Sequence, residues 1–373
     1  FGEQPANTAA RATKATAAAK KRDIPPFFLS ILYFFNNVAM LLNIARKFVT
    51  LSTNHRLKQL MNRLLHLLVF IAAVAAGTSC SRKDEWRKNS GAVWATQYNI
   101  TYFSDRDLGD SIQEVFRMVE MSLSPFNPQS RISLINRNED NTTDPMIDRV
   151  TAISQEICRE SRGAFDPTVS PLVNLWGFGY TGHPADGRLP SPTQAQIDSA
   201  LAATGIGDCR IDNGRMIKKS PATTFNFSAV TKGLGCDLIG EMLRRNGCTD
   251  YMVEIGGEMA LSGNNPRAGM WRVQVDDPVP DNDAMHRAMC VAEFTGCGIA
   301  TSGNYRNFLT DSAGVRRGHT ISPVTGRPVQ TPLVSATIAA PDCATADAIA
   351  TACMASDPAA AEALIRNRPD VRA

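Results

Sequence analysis

The chain has 373 residues, of which 43% are hydrophobic and 20% charged, and its net charge is +3. A chain of this length can bury a sizeable core in one large domain or two small ones. Nine basic residues face only two acidic ones in the first 60 positions, so the rest of the chain is mildly acidic. The chain shows no basic stripe of the kind that nucleic-acid recognition needs. We therefore expect no nucleic acid as a partner.

Two apolar segments lie near the start of the chain. Residues 25–45 are long enough to cross a bilayer, but Asn36 and Asn37 fall in the middle, where unpaired amides are costly. We therefore predict a poor transmembrane helix. Residues 61–79 begin with methionine and one early positive charge, then run through apolar to small residues, which predicts a secretory signal peptide. A start at residue 61 leaves residues 1–60 as an upstream segment outside the working protein.

The end of this signal resembles the lipobox of bacterial lipoproteins, in which a cysteine is diacylated and becomes the mature N-terminus. Gly77, Thr78 and Ser79 lead into Cys80, although the usual leucine before the small residues is absent. Residues 80–91 are then a lipidated N-terminus and polar linker. The alternative is an ordinary signal or anchor in which the cysteine is incidental.

The other eight cysteines show neither metal-ligand spacing nor the dense spacing of a disulfide scaffold. We expect most of them to be buried as small hydrophobic residues. Cys290 and Cys297 are close enough to pair across a hairpin in an oxidising compartment, but spacing alone does not establish that bond.

From residue 92 to residue 373 the chain alternates short strands and helices. The patterns predict strands over 92–104, 251–263 and 271–278, and helices over 108–126, 146–163 and 231–247. Because the two types mix without strict alternation, we predict an α+β fold. A last helix is predicted over 357–373, without the further strand that would cover the sheet edge.

Several polar motifs could carry chemistry. Asp166 begins a loop that also holds Trp176, which suits a ring ligand or a tight structural turn. Lys232 stands just ahead of a predicted helix, where an anion such as phosphate is favoured, although a lysine there is often only solvated. His319 follows a glycine, and its role is open between structure and function. Asp347 lies alone in the alanine-rich segment 344–353.

Eight segments, taken in this order, resemble the ApbE family of FAD:protein FMN transferases. They are SPFNPQSRISLIN, GAFDPTVSPLVNLWGFG, FNFSAVTKGLGCD, VEIGGEMALSGNNP, WRVQVDDP, IATSGNYRNF, HTISPVTGRPV and TADAIATACM. The resemblance implies an ApbE-type, T-fold-like mixed architecture of sheet and helices, with a deep FAD cleft.

The resemblance also implies a magnesium site. Its ligands would be the Asp347 carboxylate, the Thr351 hydroxyl and the backbone carbonyl of Ala229. Residues four apart share a helix face, and Mg²⁺ takes hard oxygen ligands while keeping room for water and phosphate. The alternative is that Asp347 caps its helix and Thr351 bonds back to it. Ala350 stands where some relatives carry a second carboxylate.

The FAD contacts that the resemblance implies are Trp94, Phe126, Ala164, Phe165, Asp166, Asn226, Lys232 and Ile321. Three positions depart from the commoner family pattern. Phe126 replaces a tyrosine, so a hydroxyl contact is lost while stacking survives. Asn226 replaces an aspartate, which exchanges a carboxylate for an amide that can both donate and accept. Ser322 replaces another aspartate.

The reaction that the resemblance implies is Mg²⁺-dependent transfer of FMN from FAD to a threonine or serine of another protein, with release of AMP. His319 would be the general base. The expected acceptors are subunits of Na⁺-pumping NADH:quinone reductase or Rnf-type complexes, met by a lipid-anchored enzyme on the periplasmic face of the bacterial inner membrane. Two alternatives stay open, namely an FAD pyrophosphatase and a lipoprotein that only stores FAD.

Overall fold

The computed structural model describes residues 84–180, 184–278, 287–304 and 308–373, together with Arg56, Gln59 and Arg63. Contacts divide the chain into two units, Phe1–Ser81 and Arg82–Ala373. Apart from these three isolated positions, the predicted upstream, signal and lipobox segments lie outside the described residues. No helix within the described ranges combines the length and the hydropathy that a membrane crossing requires.

A six-stranded antiparallel sheet forms the centre of the second unit, in the order β1-β2-β5-β6-β9-β12. Three further strand pairs, β3-β4, β7-β8 and β10-β11, are antiparallel ribbons. The strands are β1 (Glu85–Val93), β2 (Thr96–Ser104), β3 (Arg210–Asp212), β4 (Arg215–Ile217), β5 (Tyr251–Ile255), β6 (Glu258–Ser262), β7 (Trp271–Asp276), β8 (Ala288–Phe294), β9 (Cys297–Gly303), β10 (Phe308–Thr310), β11 (Arg316–Gly318) and β12 (Ser335–Ala340).

Three of the eight helices lie within three residues of the bounds predicted for them, and several begin at a signal that is visible in the sequence. They are α1 (Gly109–Leu123), α2 (Arg131–Asn136), α3 (Pro145–Glu160), α4 (Ser170–Leu175), α5 (Gln194–Ala203), α6 (Ser228–Arg245), α7 (Cys343–Met354) and α8 (Pro358–Arg366). The side chains of Asp144, Asp342 and Asp357 cap α3, α7 and α8 by accepting bonds from backbone N–H groups of the first turn. The predicted α+β class is confirmed.

The first strand departs from the sequence prediction. Residues 85–91 were assigned to a linker, but they belong to β1, which pairs along its whole length with β2. Trp94 and Ala95 form the two-residue turn between these strands, with φ of 48° and 60°. Such positive φ values match the right-handed twist of a tight hairpin. Strand β1 was missed because its residues are polar and it lies at the sheet edge, so no alternating pattern marks it.

Helices α6 and α7 pack on one face of the sheet, and α1 and α3 pack on these two helices. Most buried apolar side chains belong to the core between these layers. The β7-β8 ribbon has its own apolar cluster, in which Trp271 and Val273 contact Leu261 and Ile299 of the central sheet. Helix α7 therefore lies inside the protein, between the sheet and other helices.

Helix α7 approaches its neighbours at backbone distance, which explains its alanines. A Cβ atom added at Gly233 of α6 would lie 2.4 Å from the Cys343 carbonyl oxygen, and one added at Gly298 of β9 would lie 2.1 Å from the Cys343 nitrogen. The alanines of α7 from Ala344 to Ala352 are all buried. Small residues allow this close approach where the helix meets the neighbouring backbones.

A second, smaller apolar cluster lies apart from the main core. Its buried members are Leu172, Trp176, Phe178, Ile197, Leu309 and Ile321. They come from α4, α5, the β10-β11 ribbon and the loop after it, and the Trp176 indole N–H donates to the Gly326 carbonyl at 2.7 Å. This cluster is called the small lobe below.

The end of the chain corrects a second prediction. The last helix ends at Arg366, not at residue 373. Arg372 then exchanges two backbone hydrogen bonds with Ala339 of β12, at 2.8 and 2.9 Å, so the edge predicted to be unpaired is paired at this point. Cys290 and Cys297 lie on strands of different sheets, and both are free thiols.

The close approach at Gly298 leads to a stability prediction. Gly298→Ala should lower the free energy of unfolding by roughly 1–3 kcal/mol, because the new methyl group meets the rigid backbone of Asp342 and Cys343. Urea denaturation measures this change. Gly207→Ala is the matched control, since a Cβ there meets nothing within 4 Å, and it should stay within about 0.5 kcal/mol of the wild type. Equal stability of the two variants would contradict the packing described for α7.

Candidate active site

A cavity of about 390 Å³ opens between the main core and the small lobe, since its walls carry residues of both. Ten of the twelve site residues predicted from the sequence line it, namely Ala164, Phe165, Asp166, Asn226, Ala229, Lys232, His319, Ile321, Asp347 and Thr351. Residues that are more than a hundred positions apart in the chain therefore meet in one place.

The other two predicted residues, Trp94 and Phe126, line a neighbouring cavity of about 380 Å³. The two cavities share Ser228 and Lys232 on their walls. Phe126 is 70% exposed and meets the Tyr180 ring edge-on at 6.0 Å between centroids. The predicted flavin-binding aromatics thus lie beside the main cavity, not inside it.

Helix α7 supplies an acidic and a hydroxyl side chain to the cavity. Asp347 is 2% exposed, and its Oδ2 accepts a hydrogen bond from the Gly233 N–H of α6 at 3.3 Å. Thr351, one turn further on, places its Oγ1 atom 3.3 Å from the Ser302 hydroxyl of β9. The four-residue spacing therefore brings both side chains to the cavity wall, as the sequence predicted.

A buried ion pair stands beside Asp347. The Lys232 ammonium of α6 bonds to Glu258 at the start of β6, and Glu258 is 3% exposed. The Oε2 atom of Glu258 is buried and has no hydrogen-bond partner among the described residues. Two carboxyl groups and one ammonium therefore share this end of the cavity, so Lys232 can offset the charge of only one of the two acids when both are ionised.

The pKa values follow from this burial. Burial raises the pKa of Asp347 to about 8, although the Lys232 ammonium opposes the change and Glu258 adds to it. Burial likewise raises the pKa of Glu258, again against Lys232. For Lys232, burial acts to lower the pKa, but the charges of Asp347 and Glu258 outweigh it and raise the pKa above its ordinary value. Carboxyl groups shifted in this way are frequent at functional sites.

Asp166 holds its loop in place with its side chain. The carboxylate accepts bonds from the Thr168 N–H at 2.8 Å, the Thr168 hydroxyl at 2.5 Å and the Ile206 N–H at 2.9 Å. Burial raises the pKa of Asp166 despite these three donors. Both oxygens of the Asp166 carboxylate are engaged in these bonds. A ligand would therefore contact the backbone of the loop that begins at Ala164 more readily than this carboxylate.

Asn226 organises the facing loop in a similar way. Its side-chain oxygen accepts bonds from the Ser228 N–H at 3.0 Å and from the Ser228 hydroxyl, and its backbone N–H donates to the Pro167 carbonyl at 2.9 Å. The amide that replaces the family's usual aspartate therefore uses its oxygen as a carboxylate would. This backbone bond joins the two loops that form the cavity wall.

His319 and Ile321 lie on the loop that follows β11. Ile321 is buried in the small lobe and pairs with Pro328 in an isolated bridge, which closes the loop on itself. Thr320, between them, donates to the Asn304 side chain at 2.7 Å. These contacts hold His319 at the wall of the cavity that Asp347 and Thr351 of α7 also line.

Comparison with known proteins identifies the family. The sequence profile of the ApbE family matches residues 94–373. This chain belongs to the ApbE family. The match begins at the hairpin turn of β1 and β2 and continues to the last residue, so it covers every element that lines the cavity.

Similar curated proteins support this membership. The FAD:protein FMN transferase of Vibrio cholerae is 32% identical over 296 residues, which span 77% of this chain and 86% of that protein. The FAD:protein FMN transferase of Escherichia coli K12 is 33% identical over 288 residues, which span 75% of this chain and 80% of that protein.

Solved ApbE structures have the same fold. The flavin transferase ApbE from Vibrio cholerae superposes with a TM-score of 0.68 at 31% identity, covering 78% of this chain and 92% of that one. The apo flavinyl transferase ApbE of Pseudomonas stutzeri gives a TM-score of 0.67 at 28% identity, covering 76% and 89%. The ApbE-type architecture predicted from the sequence is confirmed.

The acid in the ApbE-type cavity that sequence reasoning missed is Glu258. Its segment, VEIGGEMALSGNNP, carries the family resemblance, and Gly256 and Gly257 before the glutamate form a tight turn at φ of 62° and 101°. A glutamate that starts a strand directly after such a turn was the available signal. Among the described residues, no group of three or more histidine, cysteine, aspartate or glutamate side chains is arranged to hold a metal ion.

The raised pKa of Asp347 leads to a prediction for the metal-free protein. Its folded pKa of about 8 lies above the ordinary 3.8, so the folded state holds this proton more tightly than the unfolded state. Stability from this group is complete below pH 4 and is lost as the pH rises toward 8. Between pH 5 and pH 8 the wild type should lose about 3–4 kcal/mol more than Asp347→Asn, which cannot ionise.

Urea denaturation in a chelating buffer at several pH values measures this difference. The Asn side chain has nearly the same volume as Asp, so the core is unchanged, and the difference in stability between the two proteins should widen steadily from pH 5 to pH 8. Parallel stability curves for the two proteins would contradict the raised pKa of Asp347.

Proposed function

We propose that this protein is an FAD:protein FMN transferase, which moves FMN from FAD to a serine or threonine hydroxyl of an acceptor protein and releases AMP. The observation that carries the proposal is the family match over residues 94–373, together with a single cavity that collects Lys232, His319, Asp347 and Thr351. The two relatives named above carry this activity in their names.

The two adjoining cavities suit the two ends of FAD. Helix α6 begins at Ser228 on the wall that both cavities share, and the positive end of an 18-residue helix favours a pyrophosphate. The neighbouring cavity has a mostly apolar lining with Trp94 and Phe126, and aromatic faces of this kind suit a flat ring. Binding across the shared wall would place the phosphates beside Lys232.

A magnesium ion fits the residues at this end of the cavity. Among the described residues, Asp347 accepts one N–H bond and Glu258 has one buried oxygen without a partner, so the two acids together could carry more negative charge than Lys232 offsets. The Asp347 carboxylate, the Thr351 hydroxyl and the Ala229 carbonyl are hard oxygen ligands of the type that Mg²⁺ prefers. When bound, Mg²⁺ would supply positive charge that stabilises the pyrophosphate oxygens.

His319 takes the proton in the proposed reaction. The acceptor hydroxyl oxygen forms a bond to the FMN phosphorus, the phosphoanhydride bond to AMP breaks, and the hydroxyl proton passes to the imidazole. The short loop bridge between Ile321 and Pro328 holds the histidine at the wall while this happens. The proposed acceptors are subunits of Na⁺-pumping NADH:quinone reductase or Rnf-type complexes.

The experiment that tests this function mixes the protein with FAD and Mg²⁺, with and without the soluble domain of an Rnf-type subunit. Mass spectrometry of the acceptor should find covalently attached FMN, and chromatography should find an equal amount of AMP. Free FMN and AMP without acceptor would identify a pyrophosphatase instead, and unchanged FAD in both mixtures would point to FAD storage.

His319→Asn is the sharpest variant for the mechanism. It should keep FAD binding but slow FMN transfer by a factor on the order of 10² to 10⁴, the usual contribution of general acid–base catalysis. Single-turnover rates at several pH values should also lose the acid limb that imidazole protonation produces. Arg327→Gln, on the same loop and bonded to Gln194 away from the cavity, is the matched control and should keep the wild-type rate. Weakened FAD binding with an unchanged transfer rate would rule out the base.

We also propose that the protein is lipid-anchored at Cys80 on the periplasmic face of the inner membrane. The support is the signal-like sequence of residues 61–79, which lies outside the described residues. Expressed from Met61, the wild type should appear in the membrane fraction, and Cys80→Ser should appear in the soluble periplasmic fraction. A Cys80→Ser protein that stays in the membrane would indicate an uncleaved anchor.

A further inference from the structure

Asp237 has a role that neither the sequence motifs nor the cavity explains. It lies on α6, is 8% exposed and does not line the main cavity. Its Oδ1 atom accepts a hydrogen bond from the Cys343 N–H at 2.8 Å, and its Oδ2 atom accepts one from the Ala344 N–H at 3.0 Å. Both donors belong to the first turn of α7, where N–H groups have no partner within the helix.

Two carboxylates therefore divide the first turn of α7 between them. Asp342, the residue before the helix, caps the Thr345 N–H at 2.9 Å from within the same element. Asp237 caps the two preceding N–H groups from a different helix. Only the second of these caps fixes where α7 lies relative to α6.

The two helices carry the residues proposed to hold Mg²⁺. Ala229 lies in the first turn of α6, and Asp347 and Thr351 lie on α7. Gly233 brings the helices into backbone contact, and Asp237 follows it by four residues, so it lies on the same face of α6. The backbone contact at Gly233 and the hydrogen bonds of Asp237 lie one turn apart on α6. Together they fix both the translation and the rotation of α7 relative to α6.

A third helix supports the carboxylate. Arg149 of α3 places one guanidinium nitrogen 3.3 Å from Asp237 and the other 2.7 Å from Glu241, one turn further along α6. Burial and the nearby charge of Asp342 raise the pKa of Asp237 to about 7, while the two N–H donors and Arg149 oppose this change. The burial of the Asp237 carboxyl group is therefore unfavourable in free energy, and both of its oxygens accept hydrogen bonds.

We infer that Asp237 is a positioning residue for the metal site, which holds Asp347 and Thr351 of α7 at the right distance from Ala229 of α6. The inference deepens the proposed function and rests on it. Residues that orient metal ligands from behind typically change metal affinity by 10–100-fold when they are mutated. Asp237 acts on the proposed metal ligands indirectly, through the position of helix α7.

The test compares Asp237→Asn with Asp342→Asn in the full chain. Both variants change one carboxylate to an amide at the first turn of α7, but only the first weakens its link to α6. Calorimetric titration of Mg²⁺ into the FAD-bound protein should show a dissociation constant raised at least tenfold in Asp237→Asn and less than threefold in Asp342→Asn. FAD affinity in a chelating buffer should match the wild type within about twofold in both.

Hydrogen exchange gives a second measurement, which does not depend on the metal. The amides of Cys343 and Ala344 should exchange faster in Asp237→Asn, while the amide of Thr345 should exchange faster in Asp342→Asn. If Asp237→Asn is insoluble, Asp237→Glu carries the test, because it keeps the charge but lengthens the side chain by one methylene. It should shift α7 and weaken Mg²⁺ binding in the same direction.

The outcomes separate the hypotheses. Unchanged Mg²⁺ affinity in Asp237→Asn, or equal losses in both variants, would overturn the positioning role and leave a purely structural cap. A wild-type protein that binds Mg²⁺ with FAD but transfers no FMN would overturn the proposed activity and leave this inference standing. A wild type that binds no Mg²⁺ would overturn both.

Discussion

The contact between helix α7 and the backbones on either side of it determines where the rest of the site can lie. Gly233 and Gly298 have no side chains, so α6 and β9 both reach the start of α7 at Cys343. Hard backbone contacts do not deform as side chains do, so they set how closely the helix approaches α6 and β9. The alanines between Ala344 and Ala352 are consistent with this enclosure, because small side chains let the layers on either side come close. The carboxylate of Asp347 is then presented from a rigid support.

This enclosure has an electrostatic cost, which the structure meets with different partners. Asp237 receives two helix N–H groups and the guanidinium of Arg149. Glu258 receives the ammonium of Lys232, although one of its oxygens has no partner within the part of the chain that the structure describes. Within the same part of the chain, Asp347 accepts one long N–H bond. The compensation is therefore nearly complete behind the cavity and incomplete at its wall, where a cation or a ligand can supply the remainder.

The parts of the fold that local sequence determines were predictable, and the parts that depend on distant partners were not. Asp347 and Thr351 were found because their spacing alone places them on one helix face. Strand β1 was missed since its polar residues pair with β2 at a sheet edge without an apolar pattern. The roles of Asp166 and Glu258 depend on partners at positions 206 and 232, and no spacing rule relates such distant residues. Family resemblance located the cavity wall, but only coordinates distinguish a ligand contact from a loop anchor.

The small lobe has an apolar core of its own, separate from the main core. Among the described residues, hydrogen bonds such as Asn226 to Pro167 and Thr223 to Ala203 link the parts that carry the two cores, and the main cavity lies between these cores. Separate cores with a cavity between them can open against each other at a lower free energy than global unfolding. A ligand that fills the cavity contacts residues of both cores at once, and it therefore stabilises one core against the other. Whether the cleft is occupied then determines whether the two cores unfold together or separately.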